Sequence, residues 1–529
     1  MDVTTQPAQA APARDRAYYS RVTAWSFYDW ANHAYITTTS STFFPPYFIA
    51  IAAPAFLLAG KAATDPAAQA LARDTASNVY ALTVSVALFV AAILAPIIGT
   101  LADLTGRRKR YLIIATAVGG VLSSMMFTLT TGMWQWGLVL YFLTQIAMNI
   151  ALGLNSSLLP HVAQQEDMDR ASSQGYAMGY VGGGLLLAIN TALFLFSSNL
   201  GIDSSLAVRI AFLTVGVWWI GFTIPMILRV PEPPATPMAH GDGGNLLRNT
   251  FTRLGHTIRD ARRYREMFKM LIAFWFYMEG IGAIILLATA YGAALGLDTA
   301  VLISTLLMTQ FVAFPYALVF GRIPDPSSKW RAAFVSMLLW TALTLPFIGL
   351  YANLNGNVSV SMTFVYIACD QVIGVLFSAF IGRYLLARFT EHLDAKRAVI
   401  MGLLIYAIIP IWGFFLRTQA EFFLIGWIVG TVQGGTQALS RSIFTGLSPR
   451  AKSGEFFGLF GLSEKFAGIL GPLLYGLVGQ VTGNPRDSIL SISVFFVAGI
   501  ILLWRVDEKK GAQVASLEES QIEQAHAAD

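Results

Sequence analysis

GTLADLTGRRKR, residues 99–110, lies between two long apolar runs at 77–100 and 111–130. Gly99 and Gly106 permit a tight turn and close helix approach, and Asp103 can accept hydrogen bonds from backbone donors or basic side chains across so short a loop. Arg107, Arg108, Lys109 and Arg110 follow at the level of the headgroups. Cations alone would report topology; spaced with Gly and Asp they read as a two-helix hinge whose strength controls opening. Each flanking run has the length a helix needs to cross the hydrocarbon of a bilayer.

The rest of the chain repeats that pattern. Of its 529 residues 55% are hydrophobic and only 12% charged, against roughly a quarter charged in soluble chains. This composition excludes a soluble globular protein and defines a polytopic helical membrane protein. Fourteen spans are expected, at 23–50, 77–100, 111–130, 135–158, 173–196, 207–228, 267–292, 299–321, 332–351, 360–383, 398–416, 421–440, 455–480 and 488–505. With both termini cytoplasmic, all Lys and Arg fall on the inner side except Lys61, Arg73, Arg209, Arg417, Arg486 and the intraspan Lys465, as the positive-inside rule requires. GRRKR and the basic segment 262–269 then share one side, which demands an even number of crossings between them.

Residues 1–22 are expected to be a cytoplasmic N-terminal segment, since the h-region of a cleavable signal peptide is not visible in them. A six-helix bundle occupies 23–228. The linker 229–266 carries PEPPATP and GDGGN, then LLRNTFTRLGHTIRDARRYREMF, which reads as a helix at the inner surface with its cations on anionic headgroups. A C-terminal bundle spans 267–505, and the tail 506–529 reads as a disordered or short amphipathic end. Cys369 is the only cysteine, so no intrachain disulfide forms, and a packing role is expected for it.

Polar side chains inside apolar spans are the functional candidates. In SFYDWANHAY, residues 26–35, Asp29, Asn32 and His33 share one helix face. A charge deep in lipid costs about 2.5–3.5 kcal/mol even on the lenient insertion scale, so this face either ties down a neighbouring helix or lines a cavity or gate. Trp25 and Trp30 read as interface anchors. Glu279, deep in FWFYMEGIGAI, either titrates or makes an interhelical hydrogen bond. Asp370 sits at similar depth, and Gln145, Asn149 and Asn155 align less regularly. In GWIVGTVQGGTQALSRSIFTGLSP, residues 426–449, Gly426, Gly430 and Gly434 make a close-packing stripe beside Gln433 and Gln437. Arg441 ends that span at the inner boundary. Glu464 and Lys465 lie mid-span in the next, and Gly175, Gly179 and Gly183 mark another close contact. Metal-spaced histidines, a nucleophile elbow and a nucleotide loop are not found, so no enzyme, cofactor or metal is expected. The basic stretch 259–269 adjoins a span and points to headgroups rather than nucleic acid.

WSFYDWANHAY (25–35), GTLADLTGRRKR, LNSSLLP (154–160), FYMEG (276–280), VQGGTQALSRSIFTGLSP (432–449) and EFFGLFGLSEKFAGILGPLLYG (455–476) together resemble the major facilitator superfamily. Within it the chain is similar to the bacterial group related to the fungal vacuolar amino-acid effluxers linked to autophagy. The resemblance carries over Tyr28, Asp29, Trp30, Ala31 and Asn32, the loop signature Asp103, Arg107 and Arg108, and Gln433, Gln437, Ser440, Arg441, Phe457 and Lys465. It implies an all-α fold of two pseudo-symmetric bundles that alternate access to a central site. In this chain the halves hold six and eight helices. Two departures stand out. Glu279 with Met278 replaces the relatives' Asn-Asp pair, and a second-half loop beginning at Phe320 resumes only at Ala395–Arg397, so a helical pair, 332–383, is inserted between.

Asp29, Asn32, Glu279, Gln433, Gln437 and Lys465 are the candidates for substrate or coupling ion, and Asp103, Arg107, Arg108 and Arg441 for gating. The resemblance implies a secondary transporter of a small polar solute, an amino acid by family analogy, with protons as the candidate coupling ion. A monomer in the cell's inner membrane is expected. The competing class is a non-transporting scaffold or receptor that keeps a transporter fold.

Overall fold

The computed structural model describes residues 15–57, 65–235, 263–295, 297–355, 358–466 and 468–528. The expected surface helix within 229–266 falls almost wholly outside them. Helices account for nearly all of the rest. In the first half they are α1 (Arg16–Ala34), a π-helical stretch Tyr35–Phe43, α2 (Phe44–Ala52), α3 (Pro66–Thr105), α4 (Arg108–Met125), α5 (Trp134–Val162), α6 (Met168–Leu195) and α7 (Ser204–Arg229). In the second they are α8 (Arg265–Ala294), α9 (Thr299–Phe320), α10 (Arg331–Asn355), α11 (Val360–Phe377), α12 (Ala395–Phe415), α13 (Gln419–Gly446), α14 (Ser453–Phe466), α15 (Leu470–Thr482), α16 (Pro485–Ser491), α17 (Ser493–Trp504) and α18 (Glu508–Ala528).

Local chemistry sets these ends. Asp15 Oδ1 accepts from the Tyr18 N–H at 2.7 Å and starts α1, seven residues ahead of the expected span. Thr418 and Glu421 form a reciprocal capping box at α13, satisfying donors that the helix cannot. Between α3 and α4 the chain turns at Gly106, whose φ of +62° is left-handed and suits a residue without Cβ. In the π stretch, Ser41 and Thr42 donate to carbonyls five residues back at 2.8 and 2.7 Å, which satisfies carbonyls in the widened turn.

Among the described residues ten helices are long and apolar enough to cross a membrane, and Ser304–Phe320 is a shorter apolar helix. The remaining expected spans are helical too, but each is unusual: α1–α2 contains the π stretch, α13 carries Gln433, Gln437 and Arg441, and the 455–480 region is two helices, α14 and α15. Bonds between helix ends define two faces. On the face bearing the termini, Tyr18 donates to Asp167 and Lys396 to the Val506 carbonyl, both at 2.8 Å. On the opposite face Tyr47 donates to the Leu129 carbonyl at 2.7 Å and Tyr291 to the Gly413 carbonyl at 2.6 Å.

Each half packs its own interior. One hydrophobic cluster runs from Tyr264 to Val506, and two others lie wholly within residues 18–230. The two ends of the expected inserted pair meet in space: an Arg331 guanidinium nitrogen donates to the Leu393 carbonyl, so the chain entering α10 lies beside the chain that follows α11. Cys369, expected to pack, is exposed on that pair. The tail is not disordered; Glu508–Ala528 is a 21-residue helix.

Candidate functional site

Asp29 and Arg441 meet across the two halves. Arg441 Nη1 lies 3.3 Å from Asp29 Oδ2, and both side chains are almost fully buried. The guanidinium also donates through Nε to Ser172 Oγ and through Nη2 to the Ser172 carbonyl, each at 2.8 Å. It lies over the rings of Trp25 and Tyr176, 5.0 and 4.5 Å from their centroids, where the quadrupole favours a cation. Asn155 Nδ2 donates to Asp29 Oδ1 at 3.2 Å. From near the end of α13 Arg441 thus reaches sideways into the first half, and Trp25 is a buried wall of the pair rather than an interface anchor. A Cβ on Gly175 would collide with both Asp29 and Arg441, so this glycine is what lets α6 pass the ion pair.

Toward the face bearing the termini, further contacts bridge the halves. Ser442 Oγ donates to Asp169 at 2.5 Å and Ser453 Oγ to the Ser157 carbonyl at 3.0 Å. Asp103 is held by Arg108 Nε at 2.5 Å and accepts the Gly454 and Glu455 N–H groups, each at 3.0 Å. A carboxylate thus caps the N-terminus of a second-half helix, where the orphan amides and the helix dipole favour negative charge. Arg108 completes the latch by donating to the Ala451 carbonyl at 2.9 Å and contacting His161. Gly99 and Gly454 pack so closely that a Cβ on either would strike the other's backbone. Arg107 is exposed, joins none of these bonds, and donates no described side-chain bond.

α18 lies against this latch. Glu518 takes Lys452 at 2.7 Å and Arg263 at 2.5 Å, and Glu519 accepts the Ala451 N–H at 3.1 Å. Burial raises the Glu518 carboxyl, but its bond to Lys452 and the charges of Lys452 and Arg263 outweigh this and hold it below its usual range. At the start of α18 the half-buried Glu508 is pushed up to about 7, chiefly by burial and then by Asp394 and Asp169, against the opposing charge of Lys396.

The other candidates are dispersed. Asn32 is buried and donates to Tyr28 at 3.4 Å, while its Oδ1 has no partner among the described residues. Gln433 is buried, and Gln437 accepts from Tyr180 at 3.5 Å across the halves. His33 Nδ1 sits 3.1 Å from the Asp29 carbonyl and packs against Tyr176 and Tyr180. Glu279 is fully buried in the second half: Oε2 accepts the Gly471 N–H at 2.8 Å, at the start of α15, and Oε1 has no described partner. Lys465 is on α14, but its side chain and that of Glu464 lie outside the described residues, so no partner is assigned to either. The residues sequence reading did not single out are Ser172, Tyr176 and Trp25 in its packing role. Asn155 lay inside the quoted LNSSLLP stretch, and only the crossing of α5 with α1 reveals its bond to Asp29.

Two separately packed helical halves, bridged by polar contacts at one face, are the fold of major facilitator transporters. The human organic anion transporter MFSD10 superposes with a TM-score of 0.54 at 10% identity, covering 92% of this chain and all of that one. The proton:xylose symporter XylE gives 0.58 at 12%, covering 95% and 99%.

The chain belongs to the family described as Vacuole effluxer Atg22 like, whose profile matches residues 19–362 and 357–516. It is 28% identical to an uncharacterized MFS-type transporter, YxiO, of Bacillus subtilis over 494 residues, 93% of this chain and 96% of that one. It is 25% identical over 369 residues to Autophagy-related protein 22-1 of Aspergillus clavatus, covering 68% of this chain and 52% of that protein. The chain thus matches about half the length of that fungal relative. Membership sets it among transport proteins rather than enzymes.

Proposed function

We propose that the protein is a secondary transporter that moves a small polar solute by alternating access, with Asp29–Arg441 as the pair that closes the halves over the solute path. The observation that carries this reading is that buried pair itself. In a static scaffold, well-packed apolar residues would serve stability as well as or better than a buried ion pair; between two independently packed halves, a pair that makes and breaks gives a switch. Orphaned oxygens on Asn32 and Asn155 beside it supply acceptors for a polar ligand. An amino acid, carrying both charges, suits an interface that offers an acid and a base, and this class comes from the family resemblance. Fourteen crossings, six and eight, with both termini in the cytoplasm of the cell's inner membrane and a monomeric unit, complete the proposal.

The deciding experiment is counterflow in proteoliposomes with a panel of labelled amino acids and other small solutes. Saturable exchange is expected for one class; silence across a broad panel would leave the scaffold reading standing.

Glu279 is the proposed proton site. Its carboxyl is buried, Oε1 has no partner among the described residues, and Oε2 accepts the Gly471 N–H at the start of α15, so gaining or losing a proton there would alter how α8 holds α15. Glu279→Gln is expected to keep exchange and to abolish accumulation driven by a proton gradient. Undiminished accumulation removes Glu279 from coupling.

α18 is proposed to brace the latch through Glu518 and Glu519. The docked helix holds the Glu508 proton more tightly than a free carboxyl with its ordinary value of 4.5 does. The contribution of Glu508 to docking is therefore complete below pH 4.5 and is lost as pH rises through about 7. The protection factors of 508–528, which divide out the base-catalysed intrinsic exchange rate, are expected to fall across that window, and Glu508→Gln to flatten their pH dependence. An unchanged profile in Glu508→Gln would assign it elsewhere.

A further inference from the structure

We propose that the inserted pair α10–α11 carries a lipid-facing site for the ammonium head of a free amphipathic amine. A cavity of about 370 Å³ opens between the two helices, walled by Phe347, Tyr351, Tyr366 and Cys369, with Asp370 among its lining residues. Asp370 is held in place rather than left loose. Its Oδ1 accepts from Trp340 Nε1 at 3.1 Å and its Oδ2 from Gln371 Nε2 at 3.0 Å, while Gln371 Oε1 accepts from Tyr316 of α9 at 2.8 Å.

That positioned acid has no basic partner on the elements around it. The sequence contains no Lys, Arg or His from Ala332 to Gly382, nor in α9, and Arg441 of the neighbouring α13 is engaged by Asp29. A carboxylate at this depth is costly in hydrocarbon, so the complementary occupant is a cation. The Tyr351 and Tyr366 rings stand edge to face with centroids 6.1 Å apart, and aromatic faces attract quaternary and protonated amines. The cavity is the size of a small-ligand pocket, roughly 300 Å³ and upward. Depth selects the source: Asp370 is ten residues into α11, about 15 Å along the helix axis, below the headgroups of resident lipids. A free amine with an apolar chain reaches it from the bilayer. None of these residues belongs to the Asp29–Arg441 region, so the site stands or falls independently of the solute path.

Cys369 lines the cavity and is the chain's only cysteine, which makes it a built-in reporter. The full-length protein, reconstituted in neutral-lipid vesicles, is labelled with N-ethylmaleimide in the presence of dodecyltrimethylammonium or of dodecanol. The ammonium compound is expected to slow labelling saturably and dodecanol to leave it unchanged. Asp370→Asn is expected to raise the half-protecting concentration roughly tenfold, about the effect of losing one ionic contact, and Asp370→Glu to restore most of it. Equal protection by dodecanol, or undiminished protection of Asp370→Asn, overturns the proposal. Should Asp370→Asn label abnormally without amine, Tyr351→Leu with Tyr366→Leu decides: protection weakened about threefold or more supports an acid–aromatic site, and unchanged protection refutes it.

Discussion

Arg441→Met is expected to abolish solute exchange and to lower the thermal stability of the purified protein, whereas adding Asp29→Asn to it recovers most of the stability and none of the exchange. The single change leaves Asp29 buried with Asn155 as its remaining side-chain donor, and stranding a buried charge costs about 3–5 kcal/mol. If the halves close over the solute with that pair intact, losing it reduces the closed population by roughly 100-fold or more. The double variant removes the stranded charge, so stability returns, but no charge remains to pull the halves together. A purely structural pair predicts the opposite pattern, with exchange returning alongside stability. Counterflow and thermal denaturation of the two singles and the double, compared as a cycle, separate the outcomes.

Asp103→Asn is expected to open the face that bears the termini. The carboxylate is a double acceptor for the Gly454 and Glu455 amides while bonded to Arg108. The amide that replaces it offers a single acceptor oxygen and turns donor hydrogens toward Arg108 or α14. Charge-assisted bonds of this kind are worth about 1.5–3 kcal/mol each, enough to shift a balanced two-state equilibrium by tenfold or more. On a Cys369→Ser background, a cysteine placed at Ser157, buried beneath the latch against Ser453, should label at least several-fold faster in Asp103→Asn. Equal labelling would mean that the latch does not govern access. Because Asp103 and Asp29 lie on different contacts between the halves, Asp103→Asn is expected to retain some exchange, unlike Arg441→Met.

Much of the site was legible as residue types and little of it as partnerships. Asp29, Asp103, Glu279 and Arg441 stand out because charge in an apolar chain is expensive and needs a reason. Periodicity placed Gly426, Gly430 and Gly434 on one face, and that face meets α9 at Thr305, Val312 and Ala317. Partnerships were not legible: Asp29 and Arg441 are separated by almost the whole length of the folded bundles, and no local pattern encodes their meeting. Trp25 shows the same limit, since a tryptophan at a span's end is by default an interface anchor, and only the reach of Arg441 from α13 past α6 turns its ring into a seat for a guanidinium. For the tail the sequence left two readings, disorder or a short amphipathic end, because its low hydrophobicity taken alone does not separate them; docked as a helix, its Glu518 finds Lys452 and Arg263.

What the sequence by itself determined is the solvent and the local order: apolar runs of bilayer length, basic clusters at their ends, and a Gly-Asp-Arg turn between two of them. These follow from energies that act over a few turns of helix, namely burial, backbone hydrogen bonding and headgroup attraction. Only the tertiary structure decided which charges face each other, because long-range pairing depends on how whole helices cross and on where a glycine permits it. Gly175 makes the point: it is an unremarkable small residue along the chain, and in the fold it is the space in which Asp29 and Arg441 meet.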